Sequence, residues 1–122
     1  MPEEITSDLR SAGVSITETG DLHGSIEDLD VIYMTRIQKE RFPDEDEYHK
    51  VAGVFKLSRS DLDSAKKNMI VMHPLPRVDE ISSDVDSTPH AMYFEQAFYG
   101  VVARMSLLCR LLGVQVSEVV SE

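Results

Sequence analysis

The sequence predicts an α/β fold, a parallel sheet with flanking helices, and three observations carry that expectation. Residues 30–35 form a short apolar run with β-branched and aromatic members, the pattern of a strand covered on both faces, and residues 69–72 read as a second buried strand. Segments of helical spacing separate them, giving the order helix, strand, helix, strand, helix, strand, helix, which implies right-handed crossovers between parallel strands. Both runs end in unusual polar clusters, at the carboxyl ends of strands where ligands of such sheets bind.

The elements follow in chain order. Pro2 suits a helix start, and Glu3 and Glu4 suit the positive end of its dipole. Ile5, Leu9 and Ala12 recur at helical spacing before Gly13, a natural stop. Val14 to Thr17 alternates and reads as a short strand, and 20–24 as a loop. Ser25 offers an N-cap to a short helix over 26–29. Arg36, Gln38, Lys39, Glu40 and Arg41 follow the first apolar run, and an acidic turn spans 43–47. Residues 48–57 are ambiguous, with a helical start. Ser60 is read as the cap of a short helix over 61–65. After the strand at 69–72, residues 78–89 form a polar loop. A long helix is expected over 89–112, ended by Gly113, with 114–122 as a tail.

Composition narrows the function classes. Hydrophobic residues make up 42% of the chain and mean hydropathy is −0.20, the balance of a globular domain. No run of about 18 apolar residues suggests a membrane span, and the acidic start is unlike a secretory leader. A single cysteine, Cys109, excludes an internal disulfide, so a cytoplasmic location is expected; lying among leucines, it is read as a core residue. Twelve basic against 22 acidic residues, a formal net charge of −10, disfavour nucleic acid and anionic membrane as partners. Small anions stay possible, because a local arginine outweighs charges beyond a screening length of about 8–10 Å. His23, His49 and His90 lie apart, without zinc spacing. Asp79, Glu80, Asp84 and Asp86 lack the pattern of a calcium loop and are read as a solvated loop, with Asp79 and Glu80 making domain contacts.

Two constellations carry chemistry. In an extended Thr35-Arg36-Ile37-Gln38, Arg36 and Gln38 point to one side. A guanidinium fork grips a carboxylate through two bonds, and the glutamine amide adds a donor or acceptor. A surface Arg36 paired with Glu40 or Asp44 accounts for the spacing equally well. In His73-Pro74-Leu75-Pro76-Arg77 the two prolines fix their own φ and restrict His73 and Leu75. Carbonyls outnumber N–H groups in this turn, which suits a ligand bearing an –NH2 group. A stiff loop that merely ends a strand is the plain alternative. His73 is read as fixing its turn through a hydrogen bond rather than as a base.

The runs Tyr33-Met34-Thr35-Arg36-Ile37-Gln38-Lys39-Glu40-Arg41 and His73-Pro74-Leu75-Pro76-Arg77-Val78-Asp79-Glu80-Ile81, followed by Asp84-Val85-Asp86-Ser87-Thr88-Pro89-His90-Ala91, resemble the aspartate carbamoyltransferase family. The resemblance spans residues 1–113 and corresponds to the C-terminal, aspartate-binding half of the catalytic chain, a Rossmann-like domain. It implies transfer of the carbamoyl group of carbamoyl phosphate to L-aspartate in pyrimidine synthesis, with no metal or organic cofactor. It implies that Arg36 and Gln38 bind L-aspartate, and that Pro74, Leu75 and Pro76 present backbone carbonyls to the carbamoyl amino group, with a cis bond between Leu75 and Pro76. It further implies a homotrimer of full catalytic chains and leaves a regulatory subunit open. The ornithine branch has a cysteine in place of Pro74 and lacks Thr-Arg-x-Gln.

The family's Ser-Thr-Arg-Thr and His-Pro-x-Gln runs do not occur in the sequence. The expectation is therefore an incomplete aspartate domain, a fragment or a product of an internal start, inactive without its carbamoyl-phosphate half. An orphan fragment or a non-catalytic binding module is the alternative. The last helix agrees: Phe94, Phe98, Val101, Met105, Leu108 and Leu112 form an apolar stripe, widened by Ala97, Val102 and Leu111. It packs either on this chain's own strands or, as the resemblance implies, on the carbamoyl-phosphate domain.

Overall fold

The computed structural model describes residues 1–36, 44 and 55–114. Helix α1, Glu3–Ser11, begins after Pro2 and carries Glu3 and Glu4 in its first turn. It ends at Gly13, whose φ of +83° is open to glycine at little cost. The Gly13 N–H donates to the Arg10 carbonyl and that of Val14 to Leu9, which satisfies two end carbonyls. Its inward residue is Thr6, whereas Ile5 and Leu9 lie exposed, contrary to the stripe read from spacing.

Strands β1, Val31–Tyr33, and β2, Ile70–Met72, form a two-stranded parallel sheet in the register Val31↔Ile70, Ile32↔Val71 and Tyr33↔Met72. The Met34 N–H donates to the Met72 carbonyl at 2.9 Å, extending the contact past the last pair. Beyond β2, the Val71 N–H donates to His90 and the Val71 carbonyl accepts from Met92, so residues 90–92 run beside it as a single parallel bridge. A second bridge joins Leu57 and Ile81.

Two expectations about the sheet fail. Residues 14–17 form no strand, because alternation supplies β propensity while a strand also needs a ladder partner, and none pairs with them among the described residues. β1 is not covered on both faces: Ile32 is buried while Val31 and Tyr33 are about half exposed.

The connections are 3₁₀ turns. His23–Asp28 buries Ile26, and Leu22 rather than Ser25 precedes it. Arg59–Ser64 buries Leu62 and starts after Ser58, not Ser60. The Asp61 carboxylate accepts the Ser58 amide at 2.7 Å and its hydroxyl at 2.6 Å, binding the start of the turn. Ser83–Ser87 lies within the segment read as loop. The core gathers residues from both strands, the three 3₁₀ turns and the segments beside them, Ile26, Ile32, Leu57, Leu62, Val71 and Val85 among them; α1 contributes none, and Tyr93 closes the core from the first turn of the last helix.

That helix, α2, spans Tyr93–Leu111, shorter at its start than residues 89–112 because residues 90–92 are engaged beside β2. Gly113, at φ +73°, ends it, with Gly113 and Val114 donating to Arg110 and Cys109. Only Tyr93 is buried. Phe94, Phe98, Val101, Met105, Leu108 and Leu112 are all more than half exposed, so the stripe does not pack on this chain's own strands. Cys109 is half-buried on this open helix and not part of the core.

Candidate functional site

Parallel pairing sends both constellations out of the same sheet end. Arg36 lies three residues past Tyr33 and Leu75 three past Met72, and Tyr33 and Met72 are register partners. Gln96 of α2 ties the two exits together. Its Oε1 accepts the His73 backbone N–H at 2.9 Å, and its Nε2 donates to the Tyr33 hydroxyl at 3.1 Å.

Arg36 is exposed and lines an open cleft of about 480 Å³ together with Thr17, Ser25, Tyr33, Thr35 and Phe55. Pro74, Leu75 and Pro76 do not line that cleft. Gln38, the expected companion of Arg36, lies outside the described residues, as does the segment 45–54.

In the turn, Pro74 and Pro76 are exposed and Leu75 is half-buried, with φ +49°. The Leu75–Pro76 bond is cis, as the resemblance implied. His73 fixes the turn as expected: its ring is 2% exposed or less, and Nδ1 accepts the Leu75 N–H at 2.8 Å. Its Nε2 lies 2.6 Å from Oε1 of Glu80. Glu80 Oε2 accepts the N–H groups of Val78 and Asp79, each at 3.1 Å. Burial pushes the Glu80 carboxyl up, but hydrogen bonds from the Glu80 and Val78 amides, His73 and the Asp79 amide outweigh it and hold it below the ordinary carboxylate range. Glu80 is therefore a buried local partner, not the solvated loop residue read from sequence.

Arg77 is engaged within the fold. Both its terminal nitrogens donate to the Asp86 carboxylate, Nη2 to Oδ2 at 2.5 Å, and its guanidinium lies 5.5 Å from the centre of the Tyr93 ring. The Tyr93 hydroxyl also donates to Asp86 and accepts from Arg77 at 3.2 Å. Burial and the Asp86 bond push the Tyr93 hydroxyl up to about 12. The Arg77 hydrogen bond holds the Asp86 carboxyl below its usual range, aided by Tyr93, although partial burial opposes this.

A carboxylate with a depressed folded value stabilises the fold above its unfolded value, and that contribution is lost as pH falls through the folded one. For Asp86 and Glu80 the loss falls below the ordinary carboxylate range. Acid titration of the thermal midpoint should show the fall there, and Asp86→Asn should reduce it.

Sequence reasoning missed Gln96 and the inward role of Glu80. No sequence signal points to Gln96, whose contacts join segments 23 and 63 residues away. Among the described residues, no three His, Cys, Asp or Glu gather to hold a metal, and no helix is long and apolar enough to cross a membrane.

Residues 2–111 match the family model described as aspartate/ornithine carbamoyltransferase, Asp/Orn binding domain. The aspartate carbamoyltransferase catalytic subunit of Thermococcus onnurineus is 55% identical over 114 residues, covering 93% of this chain and 37% of that protein. The catalytic subunit of M. jannaschii aspartate transcarbamoylase superposes with a TM-score of 0.82 at 47% identity, covering 93% of this chain and 37% of that one. The aspartate transcarbamoylase of Trypanosoma cruzi, solved with carbamoyl phosphate and aspartate, gives a TM-score of 0.78 at 38% identity, covering 88% and 36%. The chain thus spans little more than a third of the length of these relatives.

Proposed function

The chain belongs to the aspartate/ornithine carbamoyltransferase family, by its Asp/Orn-binding domain, and from that premise we propose that it supplies the aspartate-binding half of an aspartate carbamoyltransferase. Arg36 and Gln38 grip a carboxylate of L-aspartate. The carbonyls of Pro74, Leu75 and Pro76 accept the –NH2 of carbamoyl phosphate. The neutral aspartate amine then attacks the carbonyl carbon, the C–O bond to phosphate breaks, the amine proton passes to the departing phosphate, and N-carbamoyl-L-aspartate forms. Holding amine and carbonyl in register supplies much of the barrier reduction, and donors aimed at the developing oxyanion supply the rest.

One observation supports this reading: Arg36 and Leu75 each stand three residues past the Tyr33↔Met72 pair, at the same end of the sheet. The aspartate relatives and Pro74 favour aspartate over ornithine. Phosphate binding falls to a carbamoyl-phosphate domain outside these residues, on which the exposed stripe of α2 docks. Burying one large apolar side chain contributes roughly 1.5–3 kcal/mol, so six or more exposed ones form a strong interface. Assembly as a trimer, in the cytoplasm, with or without a regulatory subunit, completes the proposal.

The test is complementation. The 122-residue chain alone should form no carbamoyl aspartate, and adding a separately made carbamoyl-phosphate domain should restore turnover. Leu108→Asp, on the exposed stripe, should block that restoration without lowering the thermal midpoint of the isolated chain. Turnover by the chain alone, or none with its complement, overturns the reading.

A further inference from the structure

We propose that Glu80 is a positioning residue that sets the Leu75 carbonyl through His73. The inference rests on the reading above, in which that carbonyl meets the carbamoyl amino group.

The hydrogen bonds assign one arrangement. The Leu75 N–H can only donate, so the Nδ1 it meets at 2.8 Å accepts and carries no proton. The proton of the neutral ring is then on Nε2, which donates to Oε1 of Glu80 at 2.6 Å. Oε2 of Glu80 takes the N–H groups of Val78 and Asp79. One buried carboxylate, 6% exposed, therefore gathers donors from both sides of the turn. A fourth bond, from the Leu57 N–H to the Glu80 carbonyl, anchors the same residue to the bridge with the Leu57 strand segment.

The consequence is specific to a carboxylate. A glutamine at position 80 has one acceptor oxygen and one –NH2, so either the His73 ring or the two backbone N–H groups lose their acceptor and meet a donor. If the ring gives way, Nδ1 is no longer held towards Leu75 and the turn rotates. If the backbone gives way, the segment from Val78 to Asp79 shifts. Both displace the Leu75–Pro76 peptide, whereas Arg36 follows β1 and its cleft takes no lining from Pro74, Leu75 or Pro76.

Two measurements on wild type and Glu80→Gln test this. In the 122-residue chain, nitrogen NMR of His73 should show an unprotonated Nδ1 and a protonated Nε2, with a slowly exchanging Leu75 amide. The variant should lose that signature or the Leu75 protection while keeping its circular dichroism. In enzyme reconstituted with the carbamoyl-phosphate domain, kcat/KM for carbamoyl phosphate should fall on the order of 10²-fold, with KM for aspartate nearly unchanged. Equal falls for both substrates would mark general damage and overturn the positioning role. An unaltered His73 signature and Leu75 protection in the variant would overturn it as well. If reconstituted wild type forms no product, the enzyme reading fails, while the NMR comparison still decides whether Glu80 holds the turn.

Discussion

Tyr93→Ala should unfold the chain, or leave it without a cooperative transition, because one side chain closes the core and seals the polar staple. Tyr93 is fully buried at the start of α2, whose other residues are partly or fully exposed. Truncating a buried aromatic costs about 3–5 kcal/mol, a large share of the 5–15 kcal/mol that holds a typical domain together. The core here is small, so the loss weighs more than it would in a larger protein. Truncation also removes the ring beneath Arg77 and the hydroxyl that donates to Asp86. Tyr93→Phe isolates the polar part: it keeps the ring and removes a hydroxyl bonded to the charged Asp86 and Arg77, and should cost about 1.5–3 kcal/mol. Urea titration followed by circular dichroism gives both values. A Tyr93→Ala midpoint close to wild type would mean that the core does not depend on the first turn of α2.

Arg36→Ala should remove aspartate use from the reconstituted enzyme with little effect on folding. Truncating one partner of a hydrogen-bonded charge pair costs about 2–5 kcal/mol, or roughly 30- to 3,000-fold in affinity. Steady-state kinetics should show kcat/KM for aspartate reduced within that range while KM for carbamoyl phosphate stays put, because the turn stands on β2. Arg36→Lys keeps the charge but not the planar fork, so it should recover only part of the loss. Because Arg36 is exposed, the thermal midpoint should move little. An unchanged KM for aspartate in Arg36→Ala would take Arg36 out of the site. Read with the Glu80→Gln result, the two variants separate the halves of the site: one strand end for the amino acid, the other for the carbamoyl donor.

Much of this was legible in the residues themselves. The two apolar runs are β1 and β2, and Gly13 and Gly113 end their helices with positive φ, since local propensity and capping chemistry act over a few residues. The quoted motifs named the family because they are dense and ordered along the chain. The misplacements have local causes. Ser25 and Ser60 are plausible caps by type, but the turns start elsewhere, after Leu22 and Ser58. Asp79 and Glu80 look alike in a polar loop, yet only the latter turns inward, because His73 and two N–H groups converge on it.

The sequence by itself determined the strand segments, the parallel α/β class, the rigid turn and the residues proposed to meet substrate. Only the tertiary structure decided that residues 14–17 form no strand, that the α2 stripe stands exposed, and that Arg77 pairs with Asp86 and Tyr93. It also decided that Glu80 turns inward to meet His73 and that Gln96 joins the two strand ends. Propensity and spacing are properties of neighbours along the chain. Ladder partners, burial and the pairing of charges depend on segments that meet only in space, across separations of up to 63 residues.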